Sequence, residues 1–275
     1  MKYLPFCLFL FLMLLQITAC NQKTEAKKFR IGFSQCCNDP WREMMEQEMQ
    51  MELSFHPEVA FEIAVAGNSS DTQINQIRAL VDQGIDLLIV APNETEPLTA
   101  IVEEVYNSGI PVILIDRKVN SENYTAFVGA DNYQIGKTAG DYIISKFNGV
   151  GKILEIQLAM NISPAIERSR GFRDAIAAFP DLEIVAAVKS EGDTEKLVEA
   201  FPLYVNQYPA ATIAFGHTDG LCQTAAKVLD TLGKKDQLFY LGVDGTPGPN
   251  GGLQAIDDGF LNATMLYPTG GTEVI

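Results

Sequence analysis

Basic residues are scarce in this chain. Twenty Lys and Arg stand against thirty-five Asp and Glu, for a net charge of −15. Nucleic acid needs a basic face to meet its phosphates, so it is excluded as a partner. Histidine occurs twice, as His56 and His217, and neither has ligand spacing to a cysteine, so no metal site is expected. The five cysteines make no disulfide framework. Cys7 and Cys20 fall near the start, which leaves Cys36, Cys37 and Cys222. Adjacent cysteines seldom pair with each other and three is an odd number, so these are read as buried or free thiols. Catalytic signatures are missing too. No G-x-G-x-x-G follows the first apolar run, and no G-x-S-x-G elbow occurs. Gly149-Val-Gly-Lys152 mimics the tail of a phosphate loop, but no Ser or Thr follows Lys152, and a strand follows where a helix is needed. No catalytic residue and no cofactor is expected.

Long apolar runs are also absent. The longest, Leu4 to Leu15, is shorter than the roughly 20 residues of a spanning helix. With Lys2 before it and small residues after it, it reads as a secretory signal peptide over residues 1–20. Ile17-Thr18-Ala19-Cys20 resembles a bacterial lipobox, which would make Cys20 a lipidation site and the membrane contact an anchor only. Residues 21–28 read as a tether.

What is present is a long alternation. Ile110-Pro-Val-Ile-Leu-Ile-Asp-Arg-Lys118 is the clearest unit: a short β-branched run suited to a strand buried on both faces, ending in the charges of Asp116 and Arg117. Ligands of open α/β sheets bind at the carboxyl ends of strands, so this pair is placed in a crevice. Strands are also expected at Phe29–Ser34, Phe61–Ala66, Leu87–Ala91 and Tyr124–Gly129. A second series reads as strands at Lys152–Gln157, Glu183–Val188, Thr212–His217, Leu238–Val243 and Asn262–Tyr267. Helical patterns separate them, with Asp71 and Thr95 as expected caps. Strand and helix alternating at this spacing mean parallel sheets built from βαβ units, in two lobes.

Ordered motifs then give a resemblance. Asn38-Asp-Pro-Trp41, Ile110–Arg117, Gly129-Ala-Asp-Asn132, Glu167-Arg168 before Gly171-Phe172, and Gly242-Val-Asp-Gly-Thr-Pro247 stand in the order found in type I periplasmic binding proteins of the ribose-binding group. The chain resembles that family from about Phe29 to Ile275. The resemblance implies two Rossmann-like α/β lobes joined by a multi-crossing hinge, with lobe 1 over 29–131, lobe 2 over 132–267 and a return to lobe 1 over 268–275. It implies a monosaccharide as the ligand. Asp39, Asp116 and Arg117 would grip hydroxyls from lobe 1, with Trp41 stacked on the sugar ring. Arg168 and Asp244 would close from lobe 2, and Tyr267 stands where the family often has a hydroxyl-binding Gln. Asp131 is read either as a ligand group or as part of the hinge. Departures are also clear. Thr218-Asp219 replaces the usual N-D, Gly192-Asp193 stands where an aromatic is expected, and Arg42 replaces a second aromatic, all of which argues against ribose itself. Asn250-Gly-Gly252 reads as turn chemistry alone.

The chain stops at Thr272-Glu-Val-Ile275, at the start of a family helix, so a longer chain is expected. Segments Gly245–Gly252 and Tyr267–Gly271 are similar to those of sugar-sensing ectodomains of hybrid two-component histidine kinases, whose partner is a membrane and kinase module in the same chain. The lipobox favours the alternative, a solute-binding lipoprotein whose partner is an ABC permease.

Overall fold

The computed structural model describes residues 28–190 and 193–275. The segments read as a signal peptide with Cys7, a lipobox with Cys20 and, up to residue 27, a tether lie outside the described residues. Among the described residues no helix is long and apolar enough to cross a membrane.

The strands among the described residues form two five-stranded sheets. The first contains β1 (Phe29–Gln35), β2 (Val59–Val65), β3 (Leu87–Ala91), β4 (Val112–Ile115) and β5 (Ala126–Val128), in the order β2-β1-β3-β4-β5. The second contains β6 (Gly151–Gln157), β7 (Leu182–Lys189), β8 (Ile213–Gly216), β9 (Phe239–Asp244) and β10 (Ala263–Leu266), in the order β10-β9-β8-β6-β7. Every pairing is parallel. The expected two-lobe α/β architecture is therefore the observed one.

Strand β4 shows why its sequence is almost all apolar. Side chains alternate across a strand, and both faces here are covered. Val112 and Leu114 join a core with Ile77, Leu98 and Val102 from α2 (Ser70–Asp82) and α3 (Thr95–Asn107). Ile115, with half-buried Ile113 beside it, joins the opposite core with Met45 and Met49 from α1 (Pro40–Leu53). In the second lobe, α4 (Asn132–Phe147) and α5 (Ser163–Ile176) pack on one face. On the other, α6 (Thr194–Gln207) and α7 (Asp219–Thr231) bury Leu197, Phe201, Ala225 and Leu229. Two short helices follow, α8 (Gly252–Asp257) and α9 (Gly271–Val274), and α9 returns to pack against α1 of the first lobe.

Two expected caps are corrected. Ser69, not Asp71, caps α2, with its hydroxyl accepting from Thr72 N at 3.2 Å. Asp71 sits in the first turn, where its charge suits the helix dipole. Thr95 is the first residue of α3 and not its cap. Its N–H, an orphan of the helix start, donates to the Asn161 carbonyl of the other lobe at 3.1 Å. A helix end in one lobe is thus satisfied by the other.

Candidate functional site

The strand ends of both sheets face one cavity of ≈ 340 Å³. Ligand pockets usually hold about 300–1,000 Å³. Asp39, Trp41, Arg42, Asp116 and Arg117 line it from the first lobe, and Arg168, Asp219 and Asp244 from the second, with Tyr267 between them.

Asp116 is the centre of the first-lobe wall. Beyond β4 the chain turns at once: Arg117 N donates to Ile115 O at 2.7 Å, and Asp116 between them has φ +66°. A non-glycine residue there is strained, and such strain gathers at ligand sites. The turn drives the carboxylate inward until it is 4% exposed. It accepts from Arg42 Nη2 at 2.5 Å and from the Tyr267 hydroxyl at 2.7 Å. Burial alone would raise its pKa, but the Arg42 and Arg117 charges, the Tyr267 hydrogen bond and Arg168 outweigh burial, and the carboxyl titrates below its ordinary range. Arg117 Nη1 donates to the carbonyls of Pro92 and Asn93 at 3.2 and 2.9 Å, which fixes its head at the cavity wall.

Helix α1 delivers the next three groups. Asp39 is its N-cap, accepting from Arg42 N at 2.9 Å, and Pro40 takes the first helical position, where a missing N–H costs nothing. The Asp39 carboxylate is therefore a helix cap first, with 43% of the side chain still open to a ligand. Trp41 departs from expectation. Its ring stacks on Tyr267 at 5.2 Å and 22°, and its Nε1 donates to Tyr267 O at 3.2 Å. One face of the indole is thus occupied by the protein, and Tyr267 is a partner of Trp41 and Asp116 before it is a ligand group. Arg42 was missed by sequence reasoning, which saw only a lost aromatic. It is the buried counter-charge of Asp116, and its Nε also donates to Cys36 Sγ at 3.1 Å. The one available signal was its place one residue after Trp41 in a capped helix, where a buried Arg requires a carboxylate.

In the second lobe Arg168 is held on three sides. Nε donates to Asn132 Oδ1 at 2.8 Å, Nη1 donates to His217 O at 2.5 Å, and the guanidinium carbon lies 4.4 Å from the Tyr267 ring centre. Trp41, Tyr267 and Arg168 form one stack across the lobes. Under it, the fully buried His217 and Glu155 meet at 3.1 Å, and Glu155 also pairs with Arg173. Burial holds the His217 imidazole below its ordinary pKa.

Asp219 and Asp244 differ from Asp116. The Asp219 carboxylate accepts from Gly245 N at 2.8 Å and from the Thr264 hydroxyl at 2.6 Å, so it ties the turn after β9 to β10. A Cβ on Gly252 would lie 1.8 Å from its Oδ2, which is why the Asn250–Gly252 turn needs glycine there. Asn250 and Gly252 also line the cavity, so that stretch is more than turn chemistry. Asp244 ends β9 with φ +139°, a second strained carboxylate at a strand end. Burial raises both carboxyls above their ordinary range; Arg168 opposes this in each, and Asp219 adds to the rise at Asp244. Asp131 is not in the cavity. It caps α4, accepting from Gln134 N at 2.9 Å, at the crossing between the lobes. Among the described residues no group of His, Cys, Asp and Glu could hold a metal ion.

Comparison with known proteins agrees with this geometry. Residues 33–272 match the family described as periplasmic binding protein domain. The chain belongs to that family. An extracytoplasmic location goes with it, and relatives in the family are sugar-binding proteins of transport or sensing. The ribose import binding protein RbsB of Escherichia coli (strain K12) is 29% identical over 198 residues, which cover 72% of this chain and 65% of that protein. The chain thus aligns with just under two thirds of that relative's length. The fructose binding periplasmic domain of a hybrid two-component system is 38% identical, with a TM-score of 0.87, over 90% of this chain and 82% of that one. The binding protein of the arabinose ABC transporter from Shewanella sp. ANA-3, bound to α- and β-L-arabinofuranose, is 25% identical, with a TM-score of 0.82, over 89% and 83% of the two chains.

Proposed function

We propose that this domain binds a neutral monosaccharide, with fructose the first candidate, in the cavity between its lobes. It does so reversibly and without chemistry on the sugar. The observation that carries this reading is the convergence of Asp39, Asp116 and Arg117 from one lobe and Arg168 and Asp244 from the other on a single cavity. Sugar hydroxyls both donate and accept, so they match a wall of mixed carboxylates and guanidinium groups. The assigned roles are hydroxyl contacts for Asp39, Asp116, Arg117, Arg168 and Asp244. Asp219 and Tyr267 hold the walls, and Trp41 offers its remaining face to the ring. Among the described residues nothing in the cavity pairs a nucleophile with a base, which favours binding over catalysis.

The sensor role is the better supported one. The 38% identity to a fructose-binding sensor domain exceeds that to the arabinose transporter protein. In this reading a membrane and kinase module is the partner. A second reading, a solute-binding lipoprotein serving an ABC permease, rests on the lipobox ending at Cys20. In both, the domain works outside the cytoplasm and is held to the membrane by an anchor. The genomic sequence downstream of Ile275 separates them: a membrane helix and a phosphoacceptor histidine motif support the sensor.

A thermal-shift screen of pentoses and hexoses tests the binding itself. A sugar at about a hundred times its dissociation constant adds roughly 2.7 kcal/mol to stability. A shift with amino acids or nucleosides and none with any sugar would overturn the proposal.

A further inference from the structure

Cys36 and Cys37 follow β1, in a four-residue stretch without helix or strand that ends at Asp39. Adjacent cysteines seldom pair, and these two are free thiols, yet here their sulfurs already lie 3.1 Å apart. Cys36 is fully buried, while Cys37 keeps 8% of its surface. Arg42 Nε donates to Cys36 Sγ at 3.1 Å, and Nη2 of the same guanidinium donates to Asp116 at 2.5 Å. One side chain therefore joins the thiol pair to the wall of the ligand cavity. The contact between the two sulfurs favours a thiolate at Cys36 against the opposing effect of burial, and Arg42 and Arg117 add to it. The same contact and burial hold Cys37 in the thiol form. A thiolate in contact with a thiol is the arrangement of a redox pair. Cys222 has no such partner among the described residues; its thiol is buried and donates to Leu241 O at 3.2 Å.

We propose that Cys36 and Cys37 form a reversible disulfide on exposure to hydrogen peroxide, and that this bond weakens sugar binding by freeing Arg42 from Cys36. The coupling rests on the sugar site proposed above; the disulfide does not. The Cys36 thiolate attacks one oxygen of peroxide, which enters beside Cys37 as the loop opens locally. The O–O bond breaks, hydroxide leaves, and Cys36 becomes a sulfenic acid. Cys37 sulfur then attacks Cys36 Sγ. The S–S bond forms, the S–O bond breaks, and the hydroxyl leaves with the Cys37 proton as water. Overall two thiols lose two electrons and two protons, and one peroxide becomes two waters. A dithiol reductant reverses the bond by exchange. An uncharged disulfide sulfur is a weak acceptor, so Arg42 loses one of its anchors and its hold on Asp116 loosens. Oxidising conditions of this kind belong to the extracytoplasmic compartment.

Peptide mapping after alkylation, joined to fructose titration calorimetry, tests both halves. The tryptic peptide Ile31–Arg42 carries both thiols. After peroxide it is expected to be lighter by two hydrogens and closed to alkylation, and dithiothreitol should restore it. The fructose dissociation constant should rise about tenfold in the oxidised chain and return on reduction. In Cys37→Ser, peroxide should instead leave a Cys36 sulfenic acid that dimedone traps. Two alkylatable thiols in the peroxide-treated chain, or equal affinities of the two forms, overturn the proposal. If neither form binds any sugar, the sugar-site reading and the coupling fail together, and the alkylation map alone judges the disulfide.

Discussion

At the scale of single residues, Asp116 and Asp244 are one residue type in opposite electrostatic states. Burial opposes the charge of both, but at Asp116 Arg42, Arg117 and Arg168 outweigh it and the pKa falls, whereas at Asp244 burial dominates and the pKa rises. Their amide variants should therefore diverge. Asp244→Asn keeps a hydrogen-bonding side chain where burial already disfavours the charge, and should weaken sugar affinity less than Asp116→Asn. Asp116→Asn removes the counter-charge of buried Arg42. It should weaken binding by about 1.5–3 kcal/mol, the value of a charged hydrogen bond, or about 10- to 100-fold in Kd. It should also cost stability. The folded-state pKa of Asp116 lies below its unfolded value, so its contribution is present above the ordinary carboxylate range and lost as pH falls through the folded value. Asp244 has the opposite sign: its contribution is present at low pH and lost as pH rises. Calorimetry and acid melts of both variants check this. Equal effects of the two amides would contradict the assignment.

At the scale of elements, α4 and α5 approach so closely that glycine is required at their contact. A Cβ on Gly136 would lie 2.1 Å from Arg168 O, and one on Gly171 would lie 2.0 Å from Tyr133 O. This packing sets the height of Arg168 over the Tyr267 ring. Gly136→Ala should cost about 1–3 kcal/mol as an overpacked contact. It should also weaken sugar binding by displacing Arg168, although residue 136 lies outside the cavity. A denaturant melt and a fructose titration check both effects, and unchanged affinity would separate the helix contact from the site. The strands were legible in the sequence because their β-branched runs are buried on both faces, and every expected strand was found within three residues of its observed limits. The strand-end charges Asp116 and Arg117 were legible for the same reason, since an apolar run that stops abruptly at a charge marks a strand's carboxyl end; Asp244 came from the resemblance of Gly242–Pro247 to the family's strand end. Arg42 was not legible, because its partner Asp116 is 74 residues away. Nor was the Trp41–Tyr267 stack, which joins positions 226 apart. The cap at Asp71 was misplaced by two residues because Ser69, Ser70 and Asp71 are all good cap residues in one local run, and that at Thr95 by one, since α3 already begins there with its first N–H satisfied by a carbonyl of the other lobe.

At the scale of the whole molecule, bonds cross between the lobes around the cavity. Thr95 N donates to Asn161 O at 3.1 Å, and Lys118 N donates to Ser163 Oγ at 2.8 Å. The Lys118 ammonium lies 3.6 Å from the Glu167 carboxylate. The chain passes between lobes at Gly129–Asp131 and again at Tyr267–Gly270, two short stretches that can absorb a change in backbone angles. A sugar held from both sides favours the closed arrangement by the contacts that only closure completes. Small-angle scattering should therefore show a smaller radius of gyration at saturating fructose. An unchanged radius would mean that closure is not the output. The most direct measurement of the central claim, one ligand gripped by both lobes at once, is hydrogen exchange read by mass spectrometry with and without saturating fructose. The account predicts added protection in both lobes together, at Asp39–Arg42 and Asp116–Arg117 on one side and at the segments bearing Arg168 and Asp244 on the other. Protection confined to a single lobe, or none at all, would contradict it.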